Sequence, residues 1–256
     1  MTDFVVVIPA RFASTRLPGK ALLDIDGKPM LQHVYERGTE SGASEIVIAT
    51  DDDRIADAAE VFNATVCMTS DSHQSGTERI AEVADLLDWP DDQVVVNLQG
   101  DEPGMPAALI DQCAALLDDA TADIATLASP FLSREDFENS NCVKVIRDTH
   151  NHAIYFSRAA IPFSRDAGSE DVAAQTALHH HGIYAYRCGV LRRFVASEPS
   201  KLEVCEQLEQ LRALSLGMTI AVGVPAVRPG TGIDTPEDLE RARRDASDPT
   251  SGQGAG

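Results

Sequence analysis

The sequence lacks any hydrophobic run approaching the about 18 to 20 apolar residues of a membrane span. Its first apolar stretch, Phe4 to Ile8, is too short for a signal peptide and carries no basic leader. Positive charge is scarce as well, with 21 Lys and Arg against 41 Asp and Glu, a formal net charge of −20. Polyanions are gripped by clustered Lys and Arg, so the balance argues against nucleic acid and against an acidic membrane surface as partners. Cysteine follows no pattern: Cys67, Cys113, Cys142, Cys188 and Cys205 are scattered, odd in number and never spaced as CxxC. They read as reduced, mostly buried thiols, which excludes a disulfide framework and a zinc cage and points to a cytoplasmic protein. Aromatics are sparse at 5%, but 43% of the 256 residues are hydrophobic, enough for a sizeable core.

The first half of the chain alternates strand and helix patterns. Phe4-Val5-Val6-Val7-Ile8 reads as a strand buried on both faces and ended by Pro9. A loop through Lys28 follows, then a helix opened by Pro29, striped by Met30, Leu31, Val34 and Tyr35 and stopped near Gly42. Strand 45–50, a helix from Asp52 to Phe62, strand 65–68, a helix from about Thr77 and strand 93–98 continue the rhythm. Such alternation predicts an α/β fold with a mainly parallel, doubly wound sheet. From about 124 the pattern changes to strands at 124–131, 142–148, 153–158 and 182–187, with a loop from Pro162 to His179. Residues 130–190 are therefore expected to form an inserted substrate and dimerisation lobe on a single domain spanning 1–246. A helix over 201–216 stopping at Gly217, strand 219–224, and a last helix capped by Thr235 with Pro236 first complete the chain. The polar tail 247–256 reads as flexible.

Ligands of doubly wound sheets sit beyond the carboxyl ends of strands, where segments 10–20 and 99–103 both fall. Positions 11–20 carry Arg11, Arg16 and Lys20 without one carboxylate, in an otherwise acidic chain. Such a loop can wrap a polyphosphate, or it can be a solvated basic loop; the Walker A spacing is absent. Asp101, at a strand end, can ligate Mg²⁺ or can be an ordinary turn residue. Asp234 alone reads as a helix cap. Ser75 and Arg79 place either a helix start near a nucleotide or a simple cap with the arginine on a solvated face. His179, His180 and His181 cannot all ligate one metal, since successive strand residues point to opposite faces. His150 and His152 read as exposed hairpin residues.

Eight segments in order resemble the 3-deoxy-manno-octulosonate (Kdo) cytidylyltransferases. They are Ile8-Pro9-Ala10-Arg11, Ser14-Thr15-Arg16-Leu17-Pro18-Gly19-Lys20, His73-Gln74-Ser75-Gly76-Thr77-Glu78-Arg79 and Val96-Asn97-Leu98-Gln99-Gly100-Asp101-Glu102-Pro103. Tyr155-Phe156-Ser157-Arg158, His180-His181-Gly182-Ile183-Tyr184, Leu208-Glu209-Gln210-Leu211-Arg212 and Gly230-Thr231-Gly232-Ile233-Asp234-Thr235-Pro236 follow. The resemblance covers residues 4–244. It implies a nucleotide-diphospho-sugar transferase (Rossmann-like) fold, a homodimer, and joining of CTP to Kdo with release of pyrophosphate, an activation step for lipopolysaccharide synthesis. It assigns Arg11, Arg16 and Lys20 to the triphosphate, places Ala10, Ser75, Arg79 and Gln99 near the cytidine, and gives Asp101 and Asp234 the Mg²⁺ roles. Lys20, Arg11, Asp101 and Asp234 are thereby the expected catalytic groups. Arg158, His180, Tyr184, Glu209 and Gln210 match positions associated with the sugar acid. His181 stands where relatives are expected to carry an apolar residue, and 165–178 matches poorly.

The same reaction on 8-amino-Kdo and a CMP-sialic acid synthetase are the near alternatives. The loop 14–20 counts against the second. A GT-A-type glycosyltransferase would ligate metal through a DxD pair, whereas Asp101 is followed by Glu102 and Pro103. A silent nucleotide sensor would have no use for two metal carboxylates together with Lys20.

Overall fold

The computed structural model describes residues 3–13, 17–118, 121–166, 170–230 and 232–247. In chain order its elements begin with β1 (Phe4–Pro9), β2 (Asp24–Ile25), β3 (Lys28–Pro29), α1 (Met30–Thr39) and β4 (Glu45–Thr50). Next come α2 (Asp53–Val61), β5 (Thr65–Met68), α3 (Gly76–Leu86), β6 (Val94–Asn97) and α4 (Ala107–Ala115). The chain continues through β7 (Ile124–Pro130), α5 (Arg134–Glu138), β8 (Lys144–Arg147), β9 (Ala153–Ser157), α6 (Glu170–Thr176) and β10 (Leu178–Arg187). It closes with α7 (Cys188–Val195), α8 (Lys201–Glu206), α9 (Gln210–Ser215), β11 (Ile220–Gly223) and α10 (Pro236–Ser247). Among the described residues no helix is long and apolar enough to cross a membrane.

Two compact units emerge. One holds Phe4–Asp88, Asn97–Asp111 and the segment from Val227 onward; the other holds Trp89–Val96 and Gln112–Ala226, with Asp3. The second unit's main segment encloses the 130–190 stretch read as an insertion.

In the first unit β4 lies between β1 and β5, all parallel, with Ile8 opposite Ile48 and Val47 opposite Thr65. Phe4 to Ile8 are buried throughout, as a strand covered on both faces requires. Helix α1 buries Met30, Leu31, Val34 and Gly38, while Tyr35 packs its ring 5.4 Å from that of Phe62. Helix α2 starts on Asp52, whose side chain accepts from the Arg54 amide, and α3 starts on Ser75, which accepts from the Glu78 amide. A separate apolar cluster of Leu17, Ile25, Met30, Ile233 and Leu239 packs the loop before β2 against the start of α10. This packing brings two stretches of chain about 200 residues apart in sequence to one place.

In the second unit β7 runs parallel to β11 and antiparallel to β10, and β10 also pairs antiparallel with β8. Strands β8 and β9 form a hairpin whose turn is held by Asp148, accepting from the amides of His150 and His152. His150 is exposed and His152 half-buried.

Several boundaries differ from expectation, each for a local reason. Pro29 is not the first residue of α1 but its cap, because it pairs with Asp24 in a two-residue ladder. Helix α1 stops at Thr39, short of Gly42. The helix expected over 201–216 breaks into α8 and α9 at Gln207, which takes a left-handed backbone (φ 54°). Tertiary bonds impose that corner: the Glu206 carboxylate accepts from Ser157 Oγ and the Arg158 amide at 2.7 and 2.8 Å. The expected loop 162–179 contains α6, and β10 begins at Leu178. A register shift between His180 and Tyr184, with Gly182 at φ 70°, masks the early part of that strand in sequence. Helices α4, α5 and α7 were not read from the pattern. The five thiols are free, but only Cys113 and Cys188 are buried; Cys67 and Cys142 are half-buried and Cys205 is exposed. Tail residues 248–256 lie outside the described residues.

Candidate active site

Strand β1 ends at Pro9 and delivers Ala10 and Arg11 to its carboxyl end, where the Ala10 amide bonds Ala49 O of β4. The chain after β6 arrives beside it, with the Leu98 amide donating to Val7 O. These two edges, the start of α3 and Asp234 line a cavity of about 260 Å³. Ala10, Arg11, Lys20, Ser75, Arg79, Gln99, Asp101 and Asp234 all line it. Arg16 lies outside the described residues.

In the cavity wall the Lys20 ammonium donates to Asp101 Oδ2 at 2.7 Å and to Asp234 Oδ1 at 3.0 Å. Lys20 is 13% exposed while Asp101 and Asp234 are 37% and 53% exposed, so the ammonium is sheltered and the two carboxylates stay open to solvent. The two carboxylates converge because the Ile233 amide bonds Asp101 O at 3.0 Å, tying the two loops by main chain one residue before Asp234. Gly230 permits the approach: a Cβ there would run into the main chain of Gly104. The cap reading of Asp234 is thus overturned. Helix α10 is capped instead by Thr235, whose Oγ1 accepts from the Asp238 amide while Asp238 Oδ2 accepts from the amides of Asp234 and Thr235.

Glu102 is a group the sequence reading left without a role. Burial pushes its carboxyl up to about 8, and the neighbouring charges of Asp101 and then Asp234 add to the rise while Lys20 opposes it. Among the described residues no three His, Cys, Asp or Glu side chains gather into an all-protein metal cage. A Mg²⁺ shared with a nucleotide asks for less, one or two carboxylates with phosphate oxygens and water completing the shell. Two hard-oxygen donors already converging on one cation, the Lys20 ammonium, fit that demand.

Arg79, which also lines the cavity, is 4% exposed, which overturns the solvated-face reading. Its guanidinium donates to Thr69 Oγ1 and pairs with Asp51 Oδ2 at 3.2 Å. Ser75 both caps α3 and lines the cavity. His73 and Gln74, also lining it, were missed as contributors although they lie in a quoted motif. The His73 ring is oriented by Glu82, 2.6 Å from Nε2.

Arg158, His180, Tyr184, Glu209 and Gln210 belong to the second unit. His180 and Tyr184 stand with ring centroids 5.2 Å apart, and His180 meets the Phe156 ring edge-on at 5.2 Å. Burial, then His181 and His179, hold the His180 imidazole down to about 3, so it is neutral near pH 7. The Thr126 hydroxyl bridges it to the carbonyl of Ile183. The Tyr184 hydroxyl is buried with no hydrogen-bond partner among the described residues. Glu209 caps α9 and Gln210 opens it. Arg158 directs its guanidinium at main-chain carbonyls of Glu206, Gln207 and Ser140, at 2.8, 3.4 and 3.2 Å. The histidine run alternates as expected: His179 and His181 face each other at 5.2 Å, and His180 points to the other side.

The chain is similar to several known proteins. A solved structure of CMP:2-keto-3-deoxy-manno-octonic acid synthetase complexed with CTP is 40% identical, covers 96% of this chain and 99% of its own, and superposes with a TM-score of 0.87. A cytidylyltransferase from Leptospira borgpetersenii serovar Hardjo-bovis (strain JB197) is 18% identical with a TM-score of 0.63, covering 96% of this chain and 87% of its own. The 4-diphosphocytidyl-2C-methyl-D-erythritol synthase from Anaerococcus prevotii DSM 20548 is 16% identical with a TM-score of 0.62, covering 96% and 99%. The last two show the fold alone, an α/β architecture with a mainly parallel sheet as expected from the sequence. A family model described as cytidylyltransferase matches residues 5–220. With that match and a 40% identical relative over nearly its whole length, the chain belongs to the cytidylyltransferase family, a family of nucleotidyltransferases.

Proposed function

We propose that the protein transfers the cytidylyl group of CTP to the anomeric hydroxyl of Kdo, giving CMP-Kdo and pyrophosphate and activating Kdo for lipopolysaccharide synthesis. The observation that carries this reading is the convergence of Asp101 and Asp234 on Lys20 inside the Arg11-lined cavity. The 40% identity to a Kdo-activating synthetase supports the choice of sugar.

The hydroxyl oxygen attacks the α-phosphorus as the bond to the β-phosphate oxygen breaks. Pyrophosphate leaves with the electron pair, and the hydroxyl proton passes to solvent. The chain contributes alignment and charge rather than covalent chemistry. Arg11 and Lys20, with Arg16, offset the charge of the triphosphate, and Ala10, Ser75, Arg79 and Gln99 surround the nucleoside. Asp101 and Asp234 are the residues to hold Mg²⁺. When bound, the ion supplies charge neutralisation at phosphate and a lowered pKa at the attacking hydroxyl. A neutral His180, held near 3, is suited to hydrogen-bonding the sugar rather than to acting as its base. Tyr184 brings a hydroxyl without a hydrogen-bond partner among the described residues, and Glu209 and Gln210 bring further polar groups for the sugar acid. Arg158 must compete with the carbonyls it already serves, so its contribution is to hold the 206–207 corner as much as to meet a carboxylate.

The proposal extends to a cytoplasmic homodimer. Large apolar side chains exposed in the second unit, Leu132, Ile154, Phe163 and Val172, favour an interface there. Pyrophosphate release with CTP, Mg²⁺ and Kdo is the test, run beside 8-amino-Kdo and sialic acid. Release that requires both CTP and Kdo is expected; none with any of the three sugars would contradict the reading.

A further inference from the structure

Arg79 is a buried cation in a strongly acidic chain, and its partners Asp51 and Thr69 lie on two different strand ends. Asp51 follows β4 directly and Thr69 follows β5 directly. Thr69 is itself fixed: its amide bonds Thr50 O at 2.9 Å, and its hydroxyl donates to the same carbonyl at 3.1 Å. A hydroxyl has one proton. With that proton spent on Thr50, the lone pairs of Thr69 Oγ1 are left for the Arg79 guanidinium. Asp51 places Oδ2 3.2 Å from the other terminal nitrogen, and its Oδ1 is buried without a hydrogen-bond partner among the described residues. The guanidinium is thus held by one hydrogen bond to Thr69 and one ion pair to Asp51.

We propose that Asp51 and Thr69 are positioning residues that set the preference of the cavity for cytosine over uracil, acting through Arg79. The inference rests on the nucleotide reading of the cavity. A guanidinium offers donors and no acceptor. With one N–H donated to Thr69 and the Asp51 carboxylate 3.2 Å from the other terminal nitrogen, the guanidinium is held in a cavity that Ala10, Ser75 and Gln99 also line. Cytosine presents acceptors at O2 and N3. Uracil presents a donor at N3, which cannot pair with another donor. A free guanidinium would swing away from that mismatch; a pinned one cannot, and a site with fixed polar groups rejects the wrong partner by leaving them unpaired. Neither Asp51 nor Thr69 needs to touch the base.

Calorimetric titration of the full chain with CTP and with UTP, both in Mg²⁺, tests this. Wild type is expected to prefer CTP. In Asp51→Asn and Thr69→Val the ratio of UTP to CTP dissociation constants should fall about 10-fold or more, mainly through weaker CTP binding. Thr69→Ser, which keeps the acceptor, should retain the wild-type ratio. Should Asp51→Asn fail to fold by circular dichroism, the valine and serine pair decides alone. An unchanged ratio in folded variants, or equal weakening for both nucleotides, overturns the inference and leaves the nucleotide reading standing. A wild type that binds CTP without preference over UTP also overturns it, while one that binds neither overturns both.

Discussion

Lys20 and Asp101 form a 2.7 Å ion pair, and the same ammonium reaches Asp234 at 3.0 Å, so the two carboxylates are no further apart than those two contacts laid end to end. One cation thus serves two anions that would otherwise repel. Lys20→Ala removes it. The variant should lose on the order of 10²-fold in kcat/KM, as loss of a charge-stabilising group at departing pyrophosphate predicts. It should also gain more thermal stabilisation from Mg²⁺ than wild type, since no ammonium competes for the carboxylates. An unchanged rate would make Lys20 a structural lysine only.

Gly230 tests the placement of Asp234 without touching a charge. A methyl group at this position overlaps the Gly104 main chain, and neither backbone can yield as a flexible side chain would. Gly230→Ala is expected to cost about 10-fold or more in kcat/KM while the protein stays folded by circular dichroism. Wild-type activity would mean that the 104 and 230 backbones are not held together in the working enzyme.

The buried pair of Glu203 and Arg212 fastens α8 to α9 across the Gln207 corner, with two contacts at 2.8 and 2.6 Å. Both side chains are at most 10% exposed. Removing one partner leaves an uncompensated buried charge, so Glu203→Ala should destabilise by about 3–5 kcal/mol in denaturant unfolding. A loss below about 1 kcal/mol would show a pair no stronger than a surface one.

Histidine burial gives a pH dependence with a definite sign. Burial, helped by neighbouring imidazoles, holds His180 near 3 and His181 near 4, against an ordinary value of 6.5. The native state therefore binds fewer protons than the unfolded chain below 6.5. The stability these residues contribute is complete above that pH and is lost as pH falls from 6.5 towards 4 and 3. The raised Glu102 carboxyl acts in the opposite direction between about 8 and 4.5, so the histidine share is read as the difference in melting temperature between wild type and His181→Val, which should be constant from pH 8 to 7 and change by pH 5. His181→Val gives up the 2.8 Å contact with Ser129 but should show a shallower drop. An equal drop in the variant would remove His181 from the account.

Much of the first unit was legible in sequence because its strands are short apolar runs and its helices carry caps. Phe4 to Ile8, Asp52, Ser75 and Thr235 each signal their element through local chemistry. The positions of Ala10, Arg11, Lys20, Ser75, Arg79, Gln99, Asp101 and Asp234 around one cavity follow from that regularity together with the motifs. What sequence hid were tertiary effects. Gln207 lies in an apparently continuous helix until Glu206 turns to Ser157 and Arg158. The register shift in β10 hides the strand character of Leu178 and His179. Asp51 and Thr69 look like ordinary strand-end polar residues, and only the fold brings Arg79 to both. Glu102 carried a signal, its place next to Asp101, but not the burial that raises its carboxyl.

The central claim is that Asp101 and Asp234 act as one unit on one cation. Pyrophosphate release at saturating Mg²⁺, measured for Asp101→Asn, Asp234→Asn and the double variant, tests it most directly. Residues acting as a unit are non-additive, so each single variant should lose about as much as the double, on the order of 10²-fold or more. Losses that multiply in the double variant, or a single variant near the wild-type rate, would contradict it.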